Sequence, residues 1–454
     1  MKINLILLPF EETVKLPPIS LGYIGSILQQ KGHEVKIIDL NLKGKISEAD
    51  INLVATTNID YYNCPLLCLD SIVSELLKIK KIGKPIIIIG PHSTSTPEYF
   101  ENYGDYIIIG EPEITVSELI ESLDKNKDLK KVKGLYYKKG NKFIKNEARP
   151  NISDLDSLPF PDRSLIKNEE YHNPVCKYNP FTLVLGSRGC PFQCTFCYKG
   201  VYGSIWRKRS PENIIKELIE IRKKYNIREI WFRDDLFLLG KERIEKICDE
   251  MIKNELDLSW FCQARVNDLD LALLQKMKKA GCHTLSFGIE SGSPKILKNI
   301  KKGITLEKVE EVTANCKKAG IRTRGYFIIG FPGENDETIK ESLEFAKKLD
   351  LDFFMVSILT PYPNTKIFDN ALKEGIIKEK KWENSLKYAG QIHTKFTFEG
   401  LINLKRKLYV KYYLRSKYIL PRLSPKRIDI LKHGLLPFLK QFVVKKFRGK
   451  RITD

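Results

Sequence analysis

Three cysteines, Cys190, Cys194 and Cys197, fall within eight residues at C-x3-C-x2-C spacing, in the run Gly189-Cys-Pro-Phe-Gln-Cys-Thr-Phe-Cys-Tyr198. Thiolates are soft ligands that suit zinc or iron–sulfur clusters. Structural zinc closes its tetrahedron with a fourth Cys or His nearby, and no second cysteine cluster follows at finger-like spacing. Three thiolates from one tight loop can instead hold three irons of a [4Fe–4S] cube and leave the fourth iron open. Buried structural cysteines are the bland alternative. Cys64 and Cys68 also stand at C-x3-C spacing, but with no third ligand close by they read as packed helix cysteines.

The elements that must position this loop surround it. An apolar β-like run, Phe181–Leu185, leads into it. From 181 to 360 strand and helix alternate, with strands expected at 181–186, 229–233, 258–263, 284–289, 323–329 and 353–359. Helices are expected at about 211–225, 241–254, 269–280, 305–319 and 335–349. Ser210-Pro211-Glu212 and Thr305-Leu306-Glu307 supply helix starts, a capping side chain with an acid in the first turn. Gly281 and Gly320 supply stops. Six such units are too few for a full eight-stranded barrel. In barrels of this type chemistry gathers at the carboxyl ends of the strands. There the pattern places the cysteine loop, Asp234-Asp235, Arg265, Glu290-Ser291 and Gly330, all on one rim.

The loop, with Phe196 as its aromatic, resembles the cluster loop of the radical S-adenosylmethionine (radical SAM) enzymes. Ile230-Trp-Phe-Arg-Asp-Asp235, Gly288-Ile-Glu-Ser-Gly-Ser293 and Gly330-Phe-Pro-Gly-Glu334 are similar, in kind and order, to blocks of the subgroup that carries an N-terminal cobalamin-binding domain. Thr360-Pro-Tyr-Pro-Asn-Thr365 resembles a further T-P-Y-P-G-T block, with Asn364 in place of Gly. The likeness covers about residues 1–365. It implies a partial (β/α)6 barrel and reductive cleavage of SAM to a 5′-deoxyadenosyl radical, fed by a low-potential donor of flavodoxin or ferredoxin type. It also implies roles. Phe196 would lean on the adenine, Asp234 or Asp235 would accept from the methionine ammonium, and Arg265 would pair with the carboxylate. Glu290 and Ser291 would hold ribose hydroxyls or the ammonium. Each of these acids and bases has a plain salt-bridge role as its alternative.

Residues 1–133 read as a doubly wound, Rossmann-like parallel sheet, with strands at Ile3–Leu8, Glu34–Ile38, Ile51–Thr56, Pro85–Ile89 and Tyr106–Ile109. Ligands of such sheets bind outside the carboxyl ends of the strands. The candidates there are Gly22, Thr57, Gly90, His92, Gly110 and Glu111. Leu16-Pro-Pro-Ile-Ser-Leu-Gly-Tyr-Ile-Gly25, Gly32-His33 and Gly90-Pro-His92 resemble the subgroup's cobalamin-binding domain, which implies cobalamin as a third cofactor. No D-x-H-x-x-G motif is present, so the histidine that ligates cobalt from below in other cobalamin proteins is missing. Either cobalamin binds with a different lower face, or the domain only shapes the substrate cavity. His92 reads as a corrin or substrate contact, or as a hydrogen-bonded structural residue.

Residues 134–180 are expected to form a hairpin and a Pro-punctuated connector, 181–365 the barrel, and 366–454 a helical, strongly basic tail. From 401 onward, 16 Lys and Arg face only Asp429 and Asp454, a net +14, whereas the first 400 residues carry +7. The excess is thus a local interaction surface, not the signature of a generally nucleic-acid-binding enzyme. Bases interleaved with Leu, Tyr, Phe and Val fit a helical cap, an anionic membrane surface, RNA, or an acidic electron donor. Ten cysteines, no apolar run near bilayer length and an N-terminus that reads as a first strand point to a reducing, cytoplasmic setting, with peripheral membrane contact through the tail as an option.

The function expected is cobalamin-dependent methylation of an unactivated carbon of a small-molecule or lipid substrate. Radical cyclisation or oxidation on a lipid or isoprenoid is the alternative. A tRNA methylthiotransferase would need three N-terminal cluster cysteines, and a non-catalytic cobalamin or redox sensor would not need the rim residues.

Overall fold

The computed structural model describes residues 1–10, 14–58, 69–378, 391–392 and 395–423, with Ile428 and Leu431. Cys64 and Cys68 lie outside the described residues.

The first sheet has the order β2-β1-β3-β4-β5-β6-β7. Strands β1 (Lys2–Leu7), β2 (Glu34–Asp39), β3 (Ile51–Ala55), β4 (Ile86–Ile89) and β5 (Tyr106–Ile108) run parallel. Every side chain of β3 and β4 is buried, as expected of central strands covered on both faces. Helices α1 (Ile19–Gln30) and α4 (Pro112–Asp124) bury Leu21, Ile24, Val116 and Leu119 against one face, and α2 (Leu69–Lys80) buries Ile72 and Leu76 against the other. A short α3 (Pro91–Ser95) follows β4.

The hairpin β6 (Leu135–Lys139) and β7 (Lys142–Lys145), expected in the connector, pairs antiparallel with β5 and extends this sheet instead. The edge of β5 needed a partner, and the Gly140 turn, at φ +63°, supplies the nearest one.

The second sheet is six parallel strands in the order β15-β14-β13-β12-β11-β8. They are β8 (Phe181–Val184), β11 (Glu229–Phe232), β12 (Ser259–Ala264), β13 (Cys282–Glu290), β14 (Arg322–Ile329) and β15 (Phe353–Ile358). Neighbours in the sheet are neighbours in the chain, joined by α5 (Pro211–Lys224), α6 (Lys241–Lys253), α7 (Leu271–Lys279), α9 (Leu306–Ala319) and α10 (Asp336–Leu349), with a short α8 (Pro294–Asn299) before α9. The helices and the outward strand residues share one core around Trp260, Phe287 and Met277. Ser210 and Thr305 cap α5 and α9 as expected, and Asn335 forms a capping box with Thr338 at α10.

An open half-barrel leaves the edge of β15 unpaired. Beyond α11 (Lys366–Lys373), helix α12 (Phe398–Tyr413) covers that edge with phenols in place of a seventh strand. The Phe354 amide donates to Tyr413 (2.8 Å) and the Val356 amide to Tyr409 (3.0 Å). In return Tyr413 donates to the Phe354 carbonyl (2.8 Å), Tyr412 to Leu351 (2.8 Å) and Tyr418 to Asp352 (2.7 Å). Tyrosine suits this task because its ring packs on the strand while its hydroxyl serves the backbone. The tyrosines among the tail's bases are therefore consumed by the barrel.

Candidate active site

Strand β8 ends at Val184, and the chain then climbs to the cysteine loop along a two-residue hairpin, β9 (Ser187–Arg188) with β10 (Arg207–Lys208). Two carboxylates at the end of β11 steer that climb. Asp234 accepts from the Gly186 amide (3.0 Å) and the Ser187 hydroxyl (2.7 Å), and Asp235 accepts from the Gly189 amide (3.1 Å). Gly189 has φ +80°, and a Cβ there would lie 2.3 Å from the Ile205 carbonyl oxygen, so only glycine fits the turn. On the far side, Thr195 donates to Ile300 (3.0 Å) and accepts from the Ile367 amide (3.0 Å).

The loop is thus held from both flanks with Cys190, Cys194 and Cys197 free of disulfides and partly exposed. Burial pushes the Cys190 and Cys197 thiols above the ordinary thiol range. Among the described residues no three Cys, His, Asp or Glu side chains converge as one metal ion requires. A cube takes one thiolate per iron, so its ligands need no common centre, and this donor set fits a cluster better than zinc.

The rim residues divide into those aimed at the loop and those turned away. Arg265 lies over the Phe192 ring (3.7 Å) with Nη1 3.8 Å from the Cys194 sulfur, and it also donates to the Lys302 carbonyl. It faces the cysteines, where a cation offsets thiolate charge. Glu290 ends β13 at φ +67°, its Oε1 2.7 Å from the Lys302 ammonium in a buried pair. A Cβ at Gly288 would sit 2.4 Å from that oxygen and push the carboxylate aside. Lys302 was not expected, because nothing in a lysine-rich stretch marks the one lysine that is buried. Phe196 packs against Phe331 of the Gly330–Glu334 turn, with ring centroids 5.4 Å apart. Glu334 accepts from the Gly330 (2.6 Å) and Phe331 (3.1 Å) amides, and burial lifts its carboxyl to about 7.

Two expectations change here. Asp234 is buried, both its oxygens are engaged by the loop base, and burial raises its carboxyl to about 6. It positions the loop. Ser291 is fully buried, 3.0 Å from the Ser342 hydroxyl and accepting from the Ser293 amide (3.1 Å), so it braces α10. Asp235 is half-buried at the loop base.

The strand ends of the first sheet divide in the same way. Thr57 is fully buried after β3, and its hydroxyl has no partner among the described residues. Gly110, at φ +87°, has nothing within 4 Å of where a Cβ would stand. Gly90, at φ +129°, opens α3 in contact with Thr56. An unpaired buried hydroxyl and an open glycine corner fit a large flat ligand that brings polar groups to the backbone.

Three other candidates do not face that space. Gly22 admits the connector, since a Cβ there would lie 3.0 Å from Pro161 Cβ. His92 is fully buried with Nδ1 3.0 Å from the Thr56 hydroxyl. Glu111 accepts from the Ile152 amide (2.7 Å) and pairs with Arg207 (2.6 Å) across the domain boundary.

That boundary is dense with buried charge. Arg188 pairs with Glu113 (2.6 Å), while Glu217 accepts from Arg163 of the connector (2.7 Å) and from Arg209. Burial opposes the Glu217 charge, but Arg209 and Arg163 outweigh it and hold the carboxyl below its usual range. Tyr198, directly after the third cysteine, carries no signal of its own in the sequence. Its buried hydroxyl lies 2.5 Å from Ser95 Oγ and donates to the Pro91 carbonyl (2.9 Å), tying the cysteine loop to α3. Gly200 makes room for it, because a Cβ there would overlap the Tyr198 hydroxyl.

Known proteins resemble this chain over most of its length. Residues 184–346 match the family model of the radical SAM superfamily. A protein of Pyrococcus horikoshii named an uncharacterized methyltransferase is 35% identical over 97% of this chain and 99% of its own length. The anaerobic magnesium-protoporphyrin IX monomethyl ester cyclase of Rubrivivax gelatinosus is 27% identical over 78% of this chain and 66% of its own. Among solved structures, the cobalamin-dependent S-adenosylmethionine radical enzyme OxsB, with aqua-cobalamin and S-adenosylmethionine bound, superposes with a TM-score of 0.70. That match has 20% identity and covers 97% of this chain and 75% of that one. The chain belongs to the radical SAM superfamily, and it has the fold in which the radical SAM half-barrel follows a cobalamin-binding-type domain.

Proposed function

We propose that this radical SAM enzyme transfers a methyl group to a carbon of a small-molecule substrate, with cobalamin held at the strand ends of the first sheet. What supports this most is Tyr198, which joins the cysteine loop directly to α3, just after β4, so the two cofactor regions share one wall. The full-length relative named a methyltransferase supports it too.

When bound, the cluster supplies the electron that opens the SAM C5′–S bond, and cobalamin supplies a methyl group. The chain's own residues do the rest. Cys190, Cys194 and Cys197 hold the cluster, and Arg265 offsets the charge of the thiolates. Asp234 and Asp235 set the loop's height above β8. Glu290 with Lys302 offers a paired acid and ammonium at the rim, suited to the ammonium and carboxylate of a bound amino acid group. Phe196 and Phe331 give the adenine an apolar side. Thr57, Gly90 and Gly110 would hold cobalamin. A low-potential flavodoxin or ferredoxin is the electron source in this reading.

Ring closure or oxidation without methyl transfer is the second reading, favoured by the likeness to the cyclase. The test is anaerobic purification with iron and cobalamin supplied, followed by turnover with SAM labelled in its methyl group. Label in a product supports methyl transfer. Deoxyadenosine with product but no label supports the second reading.

A further inference from the structure

Helix α12 presents two unlike faces. Its inward face carries the tyrosines that close β15. Its outward face carries Lys407, Val410 and Lys411, and past the helix end the stripe continues over Leu414, Lys417, Leu420 and Leu423, all exposed. Val410 is 43% exposed, Leu414 52%, Leu420 65% and Leu423 56%, so four of the chain's large exposed apolar side chains fall within fourteen residues. Residues 401–423 contain seven Lys and Arg and no acid. The segment that follows, 424–454, is itself basic, with nine Lys and Arg against two Asp, and cannot neutralise the stripe.

We propose that this outward stripe docks on an anionic phospholipid surface. Leucines between lysines are the pattern of a segment that lies in the interface: the apolar side chains enter the acyl boundary while the ammonium groups meet headgroups. RNA is the poorer partner, because the tyrosines that would stack on bases are turned into the barrel. An acidic protein would match the lysines but not the leucines. No described helix is long and apolar enough to cross a membrane, so the contact is peripheral.

Helix α12 runs antiparallel to β15. Leu401 packs beside Gly330 at the rim, whereas Tyr412 and Tyr418 reach Leu351 and Asp352 at the start of the strand. The stripe's leucines therefore gather towards the barrel end opposite the active-site mouth. Docking there anchors the enzyme and leaves the mouth facing water, which favours a soluble substrate over one drawn from the bilayer.

The test is flotation of the full chain with vesicles of phosphatidylcholine alone and of phosphatidylcholine with phosphatidylglycerol. We expect flotation only with the anionic vesicles, weakened by salt. The ratio of bound to free protein should fall by about tenfold or more in Lys407→Glu/Lys411→Glu/Lys417→Glu and in Leu414→Asp/Leu423→Asp. All these sites are exposed, and unchanged thermal unfolding would show that the fold is kept. Equal flotation with both vesicle types, variants that float like the parent, or binding to polyuridylate without flotation would each overturn the proposal.

Discussion

The two parallel sheets bring the same kinds of residue to the same ends of their strands, yet use them differently. In the half-barrel, the polar groups after β11 and β12 converge on one short loop, and Glu290 at the end of β13 pairs with Lys302 beside it. In the first sheet, His92 and Glu111 are spent on the domain's own packing and on the boundary. Among the described residues Thr57 keeps an unpartnered hydroxyl, and Gly110 keeps open space where a Cβ would stand. A strand-end polar residue is a site residue only if its neighbours leave it a vacancy. By that measure the barrel would hold a cofactor through side chains, and in the reading proposed above the first domain would hold its own mainly through backbone and shape.

The largest effect should come from the cysteines. Replacing Cys190, Cys194 and Cys197 by Ala should abolish iron binding and SAM cleavage while corrin binding, read from its visible absorption, persists. Loss of both would break the contrast between a side-chain site and a backbone site.

Next is the boundary. Arg163→Met strips a fully buried partner from Glu217 and should cost about 3–5 kcal/mol in denaturant unfolding. A loss under about 1 kcal/mol would show that the connector does not hold the domains together.

Asp234 gives a pH signature of similar size. Its folded carboxyl is raised from 3.8 to about 6, so the stability it contributes is complete below pH 4 and is lost as pH rises through about 6. Asp234→Asn should flatten that decline. An unchanged pH profile would place the carboxyl in a wetter setting than the structure does.

The smallest effect is the most local. Tyr198→Phe removes two hydrogen bonds and keeps the ring, for roughly 1–2 kcal/mol. Hydrogen exchange should quicken at residues 93–96 and around the cysteine loop but not in β12 or β13. Exchange that quickens everywhere would make Tyr198 a core residue and not a tie between the two halves.

Much of this was legible in the sequence. Period and length place eleven parallel strands to within about two residues, because buried parallel strands are continuous apolar runs and several of the helices between them carry explicit caps. The cysteine loop was legible because its spacing has few other uses. Side-chain direction was not. Asp234 and Asp235 are adjacent acids that read alike, yet one is sealed under the loop and the other half-exposed. Lys302 and Tyr198 carry no local signal, since each matters through a partner distant in sequence, Glu290 on β13 or Ser95 in the other domain. The hairpin at 135–145 and a helical cap near 400 are legible in the sequence, but where each one docks is not, for one reason. Both satisfy a bare sheet edge, and an edge is a property of the assembled sheet that no single stretch announces.

The central claim is that one short loop at the mouth of the half-barrel holds a cluster able to break SAM. Deoxyadenosine released after anaerobic reconstitution with iron and sulfide, addition of SAM and reduction by dithionite measures it directly. Release is expected from the native chain and none from the variant with all three loop cysteines replaced by Ala. Release that survives in that variant, or none from a native chain carrying its full four irons, would contradict it.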